Sequence, residues 1–301
     1  MARSNPRVVV VSRETDYQRL IQRHGTRGQA KFFLASRKQS LEPLETIHAQ
    51  QESTLRRVLS AVPEDWPRRQ VDRRELDRFV FEPDDVVAAV GQDGLAANVA
   101  KYLDGQPVLG FNPSPERYDG VLVRHRPESA GALFQAFASG RLRFDALTMV
   151  RAELDDGRVL DALNEIFVGH RSHQSARYEI SWRGARERHS SSGVIVSSGT
   201  GATGWARSVR LACQSSLELP APTESRLSFF VREPFPSVST GCELREGLVK
   251  SDEAVEIRSE MDDQGVIFGD GIESDRLEFS WGRVARLSPS PRTLHLASGA
   301  S

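Results

Sequence analysis

Lysine is nearly missing from this chain. Of its 40 basic residues, only Lys31, Lys38, Lys101 and Lys250 are lysine. The arginines are balanced by 41 acidic residues, so the net charge is -1. No overall field then favours nucleic acid or an anionic membrane surface. Cysteine is scarce as well. Cys213 and Cys242 are too few for a disulfide framework or a metal cluster. They fit a reducing compartment in which both are structural. No apolar run approaches membrane-spanning length. Met1 to Pro6 leads straight into the apolar run Arg7 to Val11. This leaves no room for a signal or transit peptide, and a cytoplasmic protein is expected. There is no G-x-x-x-x-G-K-[ST] phosphate loop and no G-x-S-x-G nucleophile elbow.

What is present begins with Val86-Val87-Ala88-Ala89-Val90, followed by Gly91-Gln92-Asp93-Gly94. Unbroken apolar runs mark strands buried on both faces. A helical pattern through Leu95, Val99, Tyr102 and Leu103 comes next. The turn Asp104-Gly105 and a second apolar run, Pro107 to Phe111, follow and end at Asn112. Strand, helix and strand in so short a stretch predict a parallel βαβ unit. Asp93 and Asn112 then lie at the carboxyl ends of parallel strands, where open α/β sheets bind ligands. A carboxylate there, with backbone freed by glycine, suits a hydroxyl acceptor beside phosphates.

Around this unit the pattern predicts a strand at Val8 to Val11 and helices at Asp16 to His24, Leu44 to Val62 and Ala130 to Ser139. Arg27 to Leu41 matches no element, and the basic stretch Arg68 to Arg74 reads as a solvated face. From Leu142 the character changes. Short alternating runs recur at 148–154, 165–168, 177–182, 193–197, 226–231, 254–258, 265–269 and 276–281. Asp156-Gly157, Asp270-Gly271 and Trp281-Gly282 are hairpin signals. Two domains are expected: an α/β domain with a parallel sheet over residues 1–141, and a β-rich, sandwich-like domain over 142–301.

The β-rich half carries two further candidates. Gly199, Gly201 and Gly204 match G-x-G-x-x-G after the apolar run Val194-Ile195-Val196. An ordinary dinucleotide fingerprint also needs a parallel strand ending in an acidic residue, and none follows. The segment still offers glycines for close backbone approach, hydroxyls from Thr200 and Thr203, and Trp205 as a stacking face. Asn164-Glu165 stands at the mouth of the run Ile166-Phe167-Val168 and suits a ribose or a base edge. His170 and His173 have a metal-like spacing but no third ligand nearby, and read as a solvated loop.

In this order, the three candidates resemble the motifs of the NAD kinase family. The family's G-G-D-G is matched by Gly91-Gln92-Asp93-Gly94, its Asn-Glu pair by Asn164-Glu165, and its Ser/Thr/Gly-rich turn by Ser197 to Trp205. The stretch from Ala162 to Trp205 is similar to the mitochondrial-type branch. The resemblance implies an NAD kinase/diacylglycerol kinase-like fold, and phosphoryl transfer from ATP to the 2′-hydroxyl of the adenosine ribose of NAD, with Mg²⁺. It implies that Asp93 accepts the hydroxyl proton and that Gly91 and Gly94 shape a turn against phosphates. Gln92 and Asn112 stand beside them in the site. Asn164 and Glu165 hold the dinucleotide. Thr200, Gly201, Thr203 and Trp205 line an adenine pocket, and Ser192 faces the nicotinamide side. A homodimer or a dimer of dimers is implied, with no nucleic-acid or membrane partner.

The chain departs from the family pattern at named positions. Gln92 stands for the second glycine of the first motif, and Leu95 for the Thr that follows it. Ser192 stands where many bacterial members have Asp. Gly199 replaces Pro, Gly204 replaces Ala and Trp205 replaces Tyr. Two other readings use the same residues: a kinase of this fold acting on another hydroxyl, and a non-catalytic dinucleotide sensor. Gln92 is the residue that separates them, because it adds a side chain where phosphate would approach.

Overall fold

The computed structural model describes residues 5–300, the last by its backbone alone. The first four residues of the expected leaderless N-terminus lie outside the described residues. Contacts divide the chain into two compact units. One runs up to Asp145 and resumes at His295; the other is Ala146–Leu294.

The first unit contains β1 (Val8–Ser12), α1 (Asp16–His24), α2 (Arg27–Ala35), α3 (Glu42–Ala61), β2 (Arg68–Asp72), β3 (Val86–Val90), α4 (Asp93–Ala100), β4 (Pro107–Phe111), α5 (Ala130–Ala138) and the start of β5 (Leu142–Leu154). Its sheet runs β2-β1-β3-β4, all parallel. His295 and Leu296 add a further parallel pairing, against Pro107 and Val108. Every residue of Val8–Val11 and Val86–Val90 is fully buried, which explains their unbroken apolar runs. Val8, Val10, Val86, Ala88 and Leu109 pack on Leu55 and Val58 of α3 and on Leu133 and Phe134 of α5. α1 opens with a capping box: the Gln18 amide donates to Thr15 Oγ1, and the Thr15 amide donates to Gln18 Oε1.

Two sequence readings change here. Arg27 to Leu41 contains the helix α2, capped by Thr26 Oγ1, which accepts from the Gln29 amide. The basic stretch contains β2, which pairs in parallel with β1. Only Val71 of that strand is buried, so an edge strand shows the sequence the pattern of a solvated surface.

The second unit contains β6 (Val159–Ala162), β7 (Glu165–His170), β8 (Ala176–Trp182), β9 (Ala185–Ser191), β10 (Val194–Ser197), α6 (Trp205–Ala212), β11 (Leu227–Val231), β12 (Glu246–Val249), β13 (Val255–Ser259), β14 (Gly265–Gly269), β15 (Ile272–Glu278) and most of β16 (Val284–Ala300). One antiparallel sheet has the order β12-β11-β10-β7-β14-β15, and β16, β13, β8 and β9 form antiparallel neighbours in another. Ile166, Val168, Val194, Val196 and Phe229 of the first meet Tyr178, Ile180, Ile257 and Leu287 of the second in one buried core. This is a β-sandwich. Alternate residues Phe167, Ile195 and Phe230 point the other way and pack on Ala206 and Val209 of α6. Asp156-Gly157 and Asp270-Gly271 form hairpin turns, the latter with φ of +54° and +67°. The return of the chain from His295 to the first unit has no counterpart in the sequence pattern.

Candidate functional site

The first motif is built at the carboxyl edge of the parallel sheet. Gly91 closes β3 by donating its amide to the Phe111 carbonyl at 3.1 Å. A Cβ there would lie 2.9 Å from Leu95 Cδ2, so glycine lets α4 start tight against the strand. Gln92 occupies the N-cap position of α4 but makes no side-chain cap. Its Oε1 instead accepts from Arg13 Nη2 at 3.0 Å. Asp93 opens the helix, and its carboxylate is gripped by backbone. Oδ1 accepts from the amides of Leu122 and Val123 at 2.8 and 3.0 Å, and Oδ2 from that of Val121 at 3.0 Å. Oδ2 therefore keeps an acceptor position in hand. Gly94 is exposed, and a Cβ on it would meet nothing within 4 Å.

Asn112 has a different task. It is buried, its Nδ2 donates to the Tyr118 carbonyl at 2.9 Å, and its Oδ1 accepts from the Ser114 amide at 3.0 Å. Its side chain holds the loop after β4. A cavity of about 50 Å³ adjoins the motif, lined among others by Arg13, Thr15, Gln51, Gly91, Gln92 and Ser114. A larger hollow of about 660 Å³ lies along α3 and includes none of the predicted site residues.

The second unit brings the Asn-Glu pair and the Gly/Thr turn together. The Ser198 amide donates to the Asn164 carbonyl at 2.9 Å, and Ser197 Oγ donates to the same oxygen at 3.2 Å. Ser198 Oγ donates to the Leu163 carbonyl at 2.5 Å and accepts from the Thr200 amide at 3.1 Å. A Cβ at Gly201 would run into the Asn164 carbonyl, and one at Gly199 into the Ala221 carbonyl. At both glycines protein backbone fills the side where a Cβ would stand. Gly204 is the open member, with only the Gly201 carbonyl near its Cβ direction at 3.6 Å.

Several polar atoms in this region lack a protein partner. Among the described residues, no hydrogen bond engages the side chains of Asn164 or Glu165. Thr200 is buried, with Oγ1 unpartnered. Such groups are rare unless water or a ligand completes them. Thr203 is exposed and donates only a long bond, 3.4 Å, to the Thr200 carbonyl. The Trp205 ring stacks on Phe167, with centroids 5.7 Å apart and planes at 17°, and carries the Arg232 guanidinium 5.0 Å from its centroid. Ser192 Oγ donates to the carboxylate of Glu233. A negative charge thus stands at Ser192 although its own side chain has none.

Glu165 is the electrostatic centre of this group. Burial, and then the like charge of Asp270, push its carboxyl up to about 7. Asp270 is a residue the sequence reading saw only as a turn. Its Oδ1 accepts from the amides of Asn164 and Glu165 at 2.7 and 3.3 Å, and its Oδ2 from that of Leu163 at 2.9 Å. Asp93 and Asp270 thus use the same device, a carboxylate wrapped by three successive amides. No spacing reveals it, because the partners are far away in sequence.

No protein-family model matches the chain. Mitochondrial NAD kinase 2 of Rattus norvegicus is 29% identical to it over 69% of this chain and 61% of that protein. The Homo sapiens protein of the same name is 28% identical over 70% and 60%. An NAD kinase of Methanoregula boonei is 33% identical over 41% of this chain and 46% of its own. The chain spans about three fifths of the length of the mitochondrial relatives it matches. Among solved structures, an NAD kinase from Archaeoglobus fulgidus in complex with ATP matches with a TM-score of 0.58 at 18% identity, over 97% of this chain and 93% of that one. A yeast NADH kinase complexed with NADH matches with a TM-score of 0.64 at 13% identity, over 99% and 85%. The fold is that of these kinases. The family read from the three motifs is also the family of these relatives.

Proposed function

We propose that the chain is an NAD kinase-type phosphotransferase that moves the terminal phosphoryl group of ATP to the 2′-hydroxyl of the adenosine ribose of NAD, giving NADP. The observation that carries the reading is Asp93: a carboxylate fixed by three amides, with acceptor capacity left on Oδ2, beside a glycine open to approach. In the proposed reaction Oδ2 accepts the proton of the 2′-hydroxyl while that oxygen attacks the terminal phosphorus and ADP leaves. A fixed carboxylate suits this work, since phosphoryl transfer depends mainly on positioning. The unengaged side chains of Asn164 and Glu165 and the unpartnered hydroxyl of Thr200 are assigned to the dinucleotide. The relatives are named NAD kinases, and the matched structures carry ATP or NADH.

Mg²⁺ belongs to the proposal as the ion that offsets charge on the donor phosphates. The described residues contain no group of three or more His, Cys, Asp or Glu able to cage a metal. Mg²⁺ keeps water and phosphate oxygens and needs few protein carboxylates. No helix among the described residues is long and apolar enough to cross a membrane, and a cytoplasmic location is retained as part of the proposal. So is a homodimer or a dimer of dimers, which sedimentation at micromolar concentration tests: a monomer alone would remove it.

The assay for the activity is NADP formation by purified protein from NAD, ATP and Mg²⁺, with other nucleotides and sugars run in parallel. NADP is the expected product. No turnover on any acceptor, with NAD still bound, would replace the kinase by a sensor.

A further inference from the structure

We propose that Arg13 is the contact for the phosphates of the triphosphate donor and that Gln92 is the positioning residue that holds it; this rests on the kinase reading above. Arg13 follows β1 and Gln92 follows β3, and these strands are parallel neighbours. Both side chains therefore stand at the carboxyl edge of the sheet, where such sheets receive ligands. Arg13 is half-buried and donates from Nη2 to Gln92 Oε1 at 3.0 Å. Among the described residues, no other hydrogen bond and no ion pair engages it.

Other arginines of the first unit are paired with carboxylates: Arg7 with Asp85 at 2.6 Å and Arg27 with Glu45 at 2.6 Å. Three carboxylates near Arg13 pair with other arginines: Glu14 and Asp72 with Arg74 at 3.2 and 2.8 Å, and Asp16 with Arg19. The partner of Arg13 is a neutral oxygen. It keeps its full charge and most of its donor fork while its position is fixed. A guanidinium in that state matches phosphate oxygens two at a time. The fork borders the cavity shared with Thr15, Gln51 and Ser114, whose polar side chains line the same wall. Gln92 is then not an obstacle to phosphate. Its amide orients the cation without cancelling it, which neither glycine nor glutamate at that position would do.

The test compares wild type, Arg13→Gln, Arg13→Lys, Gln92→Gly and Gln92→Glu. Calorimetry with inorganic tripolyphosphate measures binding, melting checks the fold, and NADP formation gives KM for ATP and kcat. Arg13→Gln is expected to weaken tripolyphosphate binding and raise KM for ATP about tenfold to a hundredfold. Arg13→Lys keeps the charge and recovers part of the loss. Gln92→Glu is the decisive variant. It preserves or strengthens the bond to Arg13, so a merely structural pair would be unharmed, whereas an anion site would lose its charge and its affinity. Gln92→Gly should raise KM with little change in kcat. Wild-type tripolyphosphate affinity in Arg13→Gln, or no binding to the wild type, overturns the inference. If NADP forms with an unchanged KM in Arg13→Gln, the kinase reading survives and this inference falls. If no NADP forms while tripolyphosphate binds through Arg13, the reverse holds.

Discussion

Replacing Glu165 by Gln should make the second unit more stable, and the gain should grow with pH. In the folded state the carboxyl is pushed from 4.5 up to about 7 by burial and by the charge of Asp270. A folded-state value above the unfolded one means that the neutral acid suits the fold. Its contribution is fully present below about pH 4.5 and is lost as the pH rises through 7. At about 1.4 kcal/mol per unit, the whole difference is roughly 3.5 kcal/mol. Gln imitates the neutral acid in shape and charge, and so escapes the loss. The two proteins should be nearly equal at pH 4, differ by about 1 kcal/mol at pH 5, about 2 kcal/mol at pH 6 and about 3 kcal/mol at pH 7, and level off near 3.5 kcal/mol above about pH 8. Titrations elsewhere in the protein act on both chains and cancel in the difference. Tryptophan fluorescence in urea is the suitable probe. Trp182, Trp205 and Trp281 lie in the second unit and only Trp66 in the first, so the signal follows the unit that holds Glu165. A difference that stays flat from pH 4 to 8 would refute the buried, charge-opposed environment assigned to this residue.

Asp93→Asn should lower turnover ~100- to 10,000-fold at saturating NAD and ATP if Oδ2 accepts the proton. Unlike the usual tolerance of Asn in turns, it should also cost about 1–3 kcal/mol, because an NH₂ group would face an amide donor of residues 121–123. Calorimetric melting and steady-state kinetics separate the two effects, and near wild-type turnover would remove the catalytic role. Gly94→Ala should raise the melting temperature slightly through helix propensity, about 0.5–1 kcal/mol, yet depress turnover where phosphate passes the open face of Gly94. Unchanged kinetics would move the phosphate elsewhere. Gly201→Ala should do the opposite and destabilise the fold, since its Cβ meets the Asn164 carbonyl. A wild-type melting temperature would contradict that packing.

Much of the fold is legible because burial leaves a mark along the chain. Val8–Val11, Val86–Val90 and Pro107–Phe111 announce a parallel sheet by apolar continuity, and the second half announces itself by alternation and Asp-Gly turns. Elements whose stability comes from backbone pairing at an edge leave no such mark. β2, mostly exposed, and β9, which carries Arg186, Glu187 and Arg188 in succession, are therefore invisible. The motifs can be located from sequence, but their internal roles cannot. A glycine that yields to a carbonyl and one that faces open space read alike, so Gly201 and Gly94 look equivalent until their surroundings are known. Asp270 looks like an ordinary turn residue, and the grip of backbone on Asp93 is hidden, because the amides these carboxylates hold come from distant segments. Arg13 and Gln92 are 79 residues apart and meet only because β1 and β3 are neighbours.

The discontinuity of the first unit bears on how this protein comes off the ribosome. His295 and Leu296 complete the pairing of β4, and Ala297 offers its carbonyl to His125 across 172 positions of sequence. By the time β1, β3 and β4 have emerged, their last neighbour has not been made. The sheet that carries Asp93 must wait, with one flank unpaired, while the whole sandwich is translated. Closing so long a loop costs entropy that rises only slowly with its length, so the wait weighs on kinetics more than on final stability. The nascent chain therefore spends its most vulnerable interval with the Asp93 half unfinished, and a chaperone would find its substrate there rather than in the contiguous β-rich half.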